Sequence, residues 1–185
     1  MIKRNDSFEY YDNLWRSAIV LPEWTERVEK AVDRAMKCRP AYINAAKQSK
    51  LPWGFFLCTH WLEASCDPKR QILNGEPWNQ ITTLEPDGLG PFQSWEAAAM
   101  LGIQRMGVTS EDLSTLQGML FELEKWNGMG YRNLGKNSPY LWSGTQHGVG
   151  CGKFVRDHVY DANAVSGQVG CVAILKRTME REGAA

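Results

Sequence analysis

No sign of charge dominates this sequence: Lys+Arg and Asp+Glu are 21 each, and the formal net charge is zero. A protein that grips a polyanion through bulk charge is thereby excluded, and no nucleic-acid partner is expected. No run of 18 apolar residues occurs, so no membrane insertion is expected. The opening MIKRNDSFEYYDNLW lacks the basic-then-apolar layout of a secretory leader, which points to synthesis in the cytoplasm without a signal peptide. Cysteines number five, none in a CxxC pair, which excludes a disulfide scaffold and predicts reduced thiols. Histidine is scarcer still. His60, His147 and His158 show no ligand spacing, so no metal is expected. Internal repeats and low-complexity tracts are missing as well.

What is present is core material. Hydrophobic residues make up 43% of the chain, ample for one domain spanning residues 1–185, expected as a monomer. Helical periodicity over Pro22–Cys38 places Trp24, Val28, Ala31, Val32 and Ala35 on one stripe. Pro40 is expected to restart the chain for a shorter helix through Ala46, completing N-terminal helices over 7–48. LPWGFFLCTHWLEAS reads as a third helix, stopped by Asp67-Pro68. Asn74-Gly75 and Asp87-Gly88 are turn signals around NQITTL, which predicts a small β-hairpin region at about 68–91. Helix returns at Ser94–Met106. Another helix, capped by Thr109 with Asp112 in the reciprocal position, should run to Trp126. Asp161 is placed to cap a last helix reaching Arg181. The fold class is α+β, mainly α, with a buried central helix and a small β-hairpin region. Eight tryptophans are many for this length. Trp78, Trp95, Trp126 and Trp142 adjoin polar turns, where flat rings either fill the core or line a ligand cleft.

Two carboxylates stand out. The third helix is apolar nearly all round, as a buried central helix should be, yet its last turn carries Glu63. Burial and the negative end of the helix dipole both favour the protonated form of such a group, which suits a general acid. Glu76, in the turn NGEPW, should be wet and ionised. A protonated acid facing an ionised carboxylate is the arrangement glycoside hydrolysis uses, and Thr82 or Thr83 could position a water. Acid catalysis by a carboxyl group needs no organic cofactor either, so none is expected. Salt bridging of Glu63 to Lys69 or Arg70 is the structural alternative. Glu124 shares a stripe with Leu113, Leu116 and Leu120 and is expected to be partly buried and paired with Arg132.

The segments HWLEAS, ILNGEPW, GPFQSWEAAA, KWNGMGYRN and NSPYLWSGTQH, continuing to Arg177, resemble a group of lysozyme-like peptidoglycan hydrolases of the phage endolysin and muramidase type. The match covers about Ala41–Arg177. It implies a lysozyme-like fold, the peptidoglycan glycan strand as partner, and cleavage of its β-1,4 bond with Glu63 as proton donor. Such a protein would act on the cell wall after release or export. The wider superfamily order implies that Glu76 and Thr82, six positions apart, complete the catalytic set. The similarity of KWNGMGYR to a glycan-contacting loop of lytic transglycosylases places Trp126, Asn127 and Tyr131 at the substrate, with Trp78 and Tyr140 beside them. His158 departs from the pattern, which has glycine after the aspartate. A transglycosylase acting on the same bond and a non-catalytic glycan-binding module of a phage structural protein are the competing readings. A cysteine hydrolase pairing Cys151 with His147 or His158 is a further alternative on residue types alone.

Overall fold

The computed structural model describes residues 7–183, which are mainly helical with a small two-stranded antiparallel sheet. In chain order the elements are α1 (Phe8–Ser17), α2 (Thr25–Ser49), α3 (Trp53–Ala64), α4 (Trp95–Met106), α5 (Leu116–Trp126), α6 (Gly130–Asn133), α7 (Pro139–Trp142), β1 (Lys153–Arg156), β2 (Val159–Asp161) and α8 (Cys171–Arg181). They fall into two compact units. One comprises the described residues through Val32 together with those from Leu123 onward; the other is Asp33–Glu122. Helices α2 and α5 each run from one unit into the other.

The apolar stripe expected on α2 does not stop at Cys38. Val28, Ala31, Val32, Ala35, Cys38, Tyr42 and Ala45 are all buried and continue at helical spacing, so the helix runs unbroken through Pro40 to Ser49. The expected restart at Pro40 is therefore wrong. Proline costs the helix one backbone hydrogen bond, but Pro40 faces solvent, and burial of Tyr42 and Ala45 beyond it offsets that loss.

In the unit Asp33–Glu122, α3 is the central element: every residue from Phe55 to Trp61 is buried. Rings from three helices meet there. Trp95 of α4 lies 5.3 Å from Tyr42 of α2, 5.0 Å from His60 and 6.4 Å from Phe56 of α3, centroid to centroid. Gly102 lets Ile72 approach α4, since a Cβ there would lie 3.2 Å from the Ile72 side chain. Helix α4 returns where expected, and Ser94 caps it, its hydroxyl accepting from Ala97 N–H.

The expected hairpin at 68–91 is absent. That segment holds one isolated bridge, Arg70 to Pro77, and otherwise turns and bends organised by side chains. The sheet lies instead in the other unit, where β1 and β2 pair with Phe154 opposite Tyr160 and a bulge before Arg156. Its turn contains His158 at φ +60°, the left-handed conformation that glycine takes freely.

Two helix starts are also corrected. Thr109 and Asp112 make the reciprocal capping bonds, but around a turn; α5 begins only at Leu116, with Thr115 Oγ1 accepting from Gly118 N–H. Asp161 ends β2 and accepts from Asn163 N–H, while α8 starts ten residues later behind Gly170. There a Cβ would come within 2.5 Å of Leu141 O, so the α7 backbone and the start of α8 touch directly. All five cysteines are buried and none is in a disulfide, and no described helix is long and apolar enough to cross a membrane.

Candidate active site

Glu63 occupies the last turn of α3 and is half-buried. The chain leaves this helix through two consecutive non-glycine residues in the left-handed region, Ser65 at φ 50° and Cys66 at φ 55°. Their N–H groups return to Trp61 O (2.9 Å) and His60 O (3.2 Å), so the backbone folds straight back over the helix end.

His60 fixes the path of the chain beyond the helix. Its Nε2 lies 2.9 Å from Asp67 O and 3.0 Å from Arg70 O, and its Nδ1 lies 2.8 Å from the Tyr42 hydroxyl. Both partners of Nε2 are carbonyls, which only accept, so Nε2 carries the proton and Nδ1 receives the Tyr42 O–H. Burial pushes the His60 pKa down to about 4, partly opposed by those carbonyls, and the ring is neutral near pH 7. Trp95 Nε1 donates to the same Arg70 O at 3.0 Å. The segment Asp67–Arg70 is thus pinned to the core from two sides.

The turn Asn74-Gly75-Glu76 then seats on the end of α3. Gly75 has φ +73°, and a Cβ there would stand 2.5 Å from Glu63 O, so only glycine allows this approach. Gln71, fully buried, braces the turn: its carbonyl accepts from Leu73 N–H and Asn74 N–H, and its amide donates to Asn74 Oδ1. Arg70 donates to Gly75 O at 2.7 Å and lies 3.6 Å from the Asp67 carboxylate.

Glu76 is half-exposed, and its carboxylate closes the next loop. Oε2 accepts from Thr83 N–H (2.9 Å), Leu84 N–H (2.9 Å) and Asn74 Nδ2 (3.1 Å), and Oε1 accepts from the Thr83 hydroxyl (2.7 Å). Led by Leu84 N–H, these donors hold its pKa below the usual carboxylate value, consistent with an ionised Glu76. Thr82 is buried, and its hydroxyl donates to Pro86 O and accepts from Leu89 N–H. Thr82 is therefore occupied in shaping the loop, on a segment that is not a strand. Trp78 is half-buried, with Nε1 bonded to Pro68 O at 3.0 Å.

The remaining aromatic candidates belong to the other unit. Asn127, Tyr131 and Tyr140 line one cavity of about 330 Å³, together with Phe154, Arg156 and His158 of the hairpin. Tyr131 is its inner wall rather than an open platform: it is 2% exposed, its ring lies 4.9 Å from Phe154 and 6.0 Å from Tyr140, and its oxygen accepts from Phe154 N–H. Trp126 is half-buried and does not line this cavity. Of the other turn tryptophans, Trp95 and Trp142 belong to the core.

Glu124 is wholly buried, but the expected pairing with Arg132 is replaced. The Tyr11 hydroxyl donates to Glu124 Oε2 at 2.5 Å, while the Arg132 guanidinium stacks 3.6 Å over the Tyr10 ring and reaches Ser7 Oγ. Glu124 Oε1 and Arg132 Nη1 are both buried without a hydrogen-bond partner among the described residues. Burial raises the Glu124 pKa to about 7, against the pull of the Tyr11 hydrogen bond and the Arg132 charge. Cys151 donates to the backbone of His147 at 3.1 Å rather than to an imidazole, and burial raises its pKa; that is the opposite of an activated thiolate. Among the described residues no group of three or more His, Cys, Asp or Glu is arranged to hold a metal ion.

Sequence reasoning missed Gln71, Asn74 and the structural role of His60. The Asn-Gly turn signal marked the place, but nothing in the spacing showed that side chains rather than strand pairing would organise it. No family model, characterised protein or solved structure matches the chain.

Proposed function

We propose that this protein hydrolyses the glycan strand of peptidoglycan, with Glu63 as the general acid that protonates the β-1,4 glycosidic oxygen. The observation that carries this reading is the seating of Gly75 on the Glu63 carbonyl. A carboxyl group at the end of a buried helix is joined there to a braced, strongly hydrogen-bonded turn, and both belong to the motifs HWLEAS and NGEPW that resemble the lysozyme-like hydrolases. Glu63 is half-buried in the last turn of α3, so its carboxyl is partly withdrawn from solvent without being closed off.

Digestion of purified peptidoglycan by wild type and Glu63→Gln, with products resolved by mass, tests the reading. Reducing-end muropeptides from wild type, and a loss of about 10²–10⁴-fold in Glu63→Gln with the fold retained, is the expected outcome. Anhydro-sugar ends would make the enzyme a transglycosylase. Wall binding without products from either protein would leave a glycan-binding module.

A further inference from the structure

The four donors on the Glu76 carboxylate all come from its own surroundings: Thr83 N–H, Leu84 N–H, Asn74 Nδ2 and the Thr83 hydroxyl. Three of them converge on Oε2 and the fourth holds Oε1, so the loop that Glu76 closes fixes the orientation of the whole carboxylate. The loop it closes is fastened from within as well. Thr82 exchanges backbone bonds with Gly88 and Leu89, its hydroxyl bonds Pro86 O and Leu89 N–H, and Asn74 Nδ2 also reaches Leu84 O at 2.9 Å. Stripping donors from Glu76 would release Thr83 and Leu84 together, so its bonding and the shape of the loop are one feature.

We propose that Glu76 is a positioning residue: it holds the Thr82–Leu84 segment on the turn seated against Glu63 and forms no bond to the anomeric carbon. The proposal rests on the glycan-hydrolase reading and deepens it, because it removes a covalent glycosyl–Glu76 intermediate from the reaction.

Glutamine separates the two roles. Its carbonyl can take the place of Oε2 and accept the backbone N–H groups, and its NH₂ can donate to the Thr83 hydroxyl, which also accepts. It can act neither as nucleophile nor as base. The experiment compares Glu76→Gln and Glu76→Ala for turnover on peptidoglycan, for turnover with added azide, and for amide hydrogen exchange at Thr83 and Leu84. Glu76→Gln should keep turnover and both amide protections within about tenfold of wild type. In Glu76→Ala the two amides should exchange at least about tenfold faster, KM should rise, and azide should restore nothing. The proposal is overturned by a Glu76→Gln protein that is about 10³-fold slower with both amides still protected. It is overturned equally by azide rescue of Glu76→Ala with a glycosyl azide product, or by unchanged exchange at Thr83 and Leu84 in Glu76→Ala. Should wild type release no glycan product, the hydrolase reading falls, while the exchange data still decide whether Glu76 holds the loop.

Discussion

His60 shows at the scale of one residue how this fold turns a polar side chain into architecture. A fully buried imidazole would be costly on its own, yet every polar atom of this ring has a partner: Tyr42 on one side, and Asp67 O and Arg70 O on the other. The ring therefore sets the path of the chain between the helix end that bears Glu63 and the turn that bears Glu76. His60→Leu keeps the volume and removes the bonds, leaving Asp67 O and the Tyr42 hydroxyl buried without this partner. Urea denaturation should show a loss of about 2–4 kcal/mol. A loss below about 0.5 kcal/mol would mean that the backbone path is set elsewhere.

At the scale of elements, what could be read in advance followed from periodicity. The buried α3 helix and the α2 stripe both rest on apolar spacing, and that signal is local. The misplaced features are those where a local signal met a tertiary one. Pro40 carries a helix-breaking cost that burial on the far side outweighs. The segment after Asp67 has strand-like residues and turn dipeptides, but Gln71, Asn74, Glu76 and Thr82 supply the partners that a sheet would otherwise supply. Legible in advance were the place of Glu63 in the last turn of a buried helix and the Asn-Gly-Glu turn after it; the bonding that occupies Glu76 and Thr82 was not, since spacing does not show where a loop folds back. Glycine placement tests this account at two turns. Gly75→Ala must bring a Cβ against Glu63 O in a left-handed backbone, and should cost about 2–4 kcal/mol in urea denaturation. His158→Gly relieves a left-handed residue with no such clash to create. It should gain about 0.5–1 kcal/mol by the same measurement, the relief being partly offset by unfolded-chain entropy.

Across the whole molecule, two buried titratable groups with opposite shifts shape the response to pH. His60 has an ordinary pKa of 6.5 and a folded value of about 4. The stability it confers is complete above pH 6.5 and is lost as pH falls toward 4. Glu124 has an ordinary pKa of 4.5 and a folded value of about 7. Its contribution is complete below pH 4.5 and is lost as pH rises toward 7. At 1.36 kcal/mol per pH unit each loss amounts to roughly 3 kcal/mol. The two windows overlap almost completely with opposite slopes, so these two contributions largely cancel between about pH 4.5 and 6.5. Glu124→Gln removes one slope, because an amide still accepts from the Tyr11 hydroxyl and does not titrate. Urea denaturation of that variant at intervals from pH 4.5 to 7.5 should show stability climbing by about 2–3 kcal/mol up to pH 6.5 and then levelling. Wild type, measured beside it, should fall relative to the variant as pH rises. Parallel curves for the two proteins would show that Glu124 is already ionised in the fold, with the Arg132 charge close enough to offset its burial.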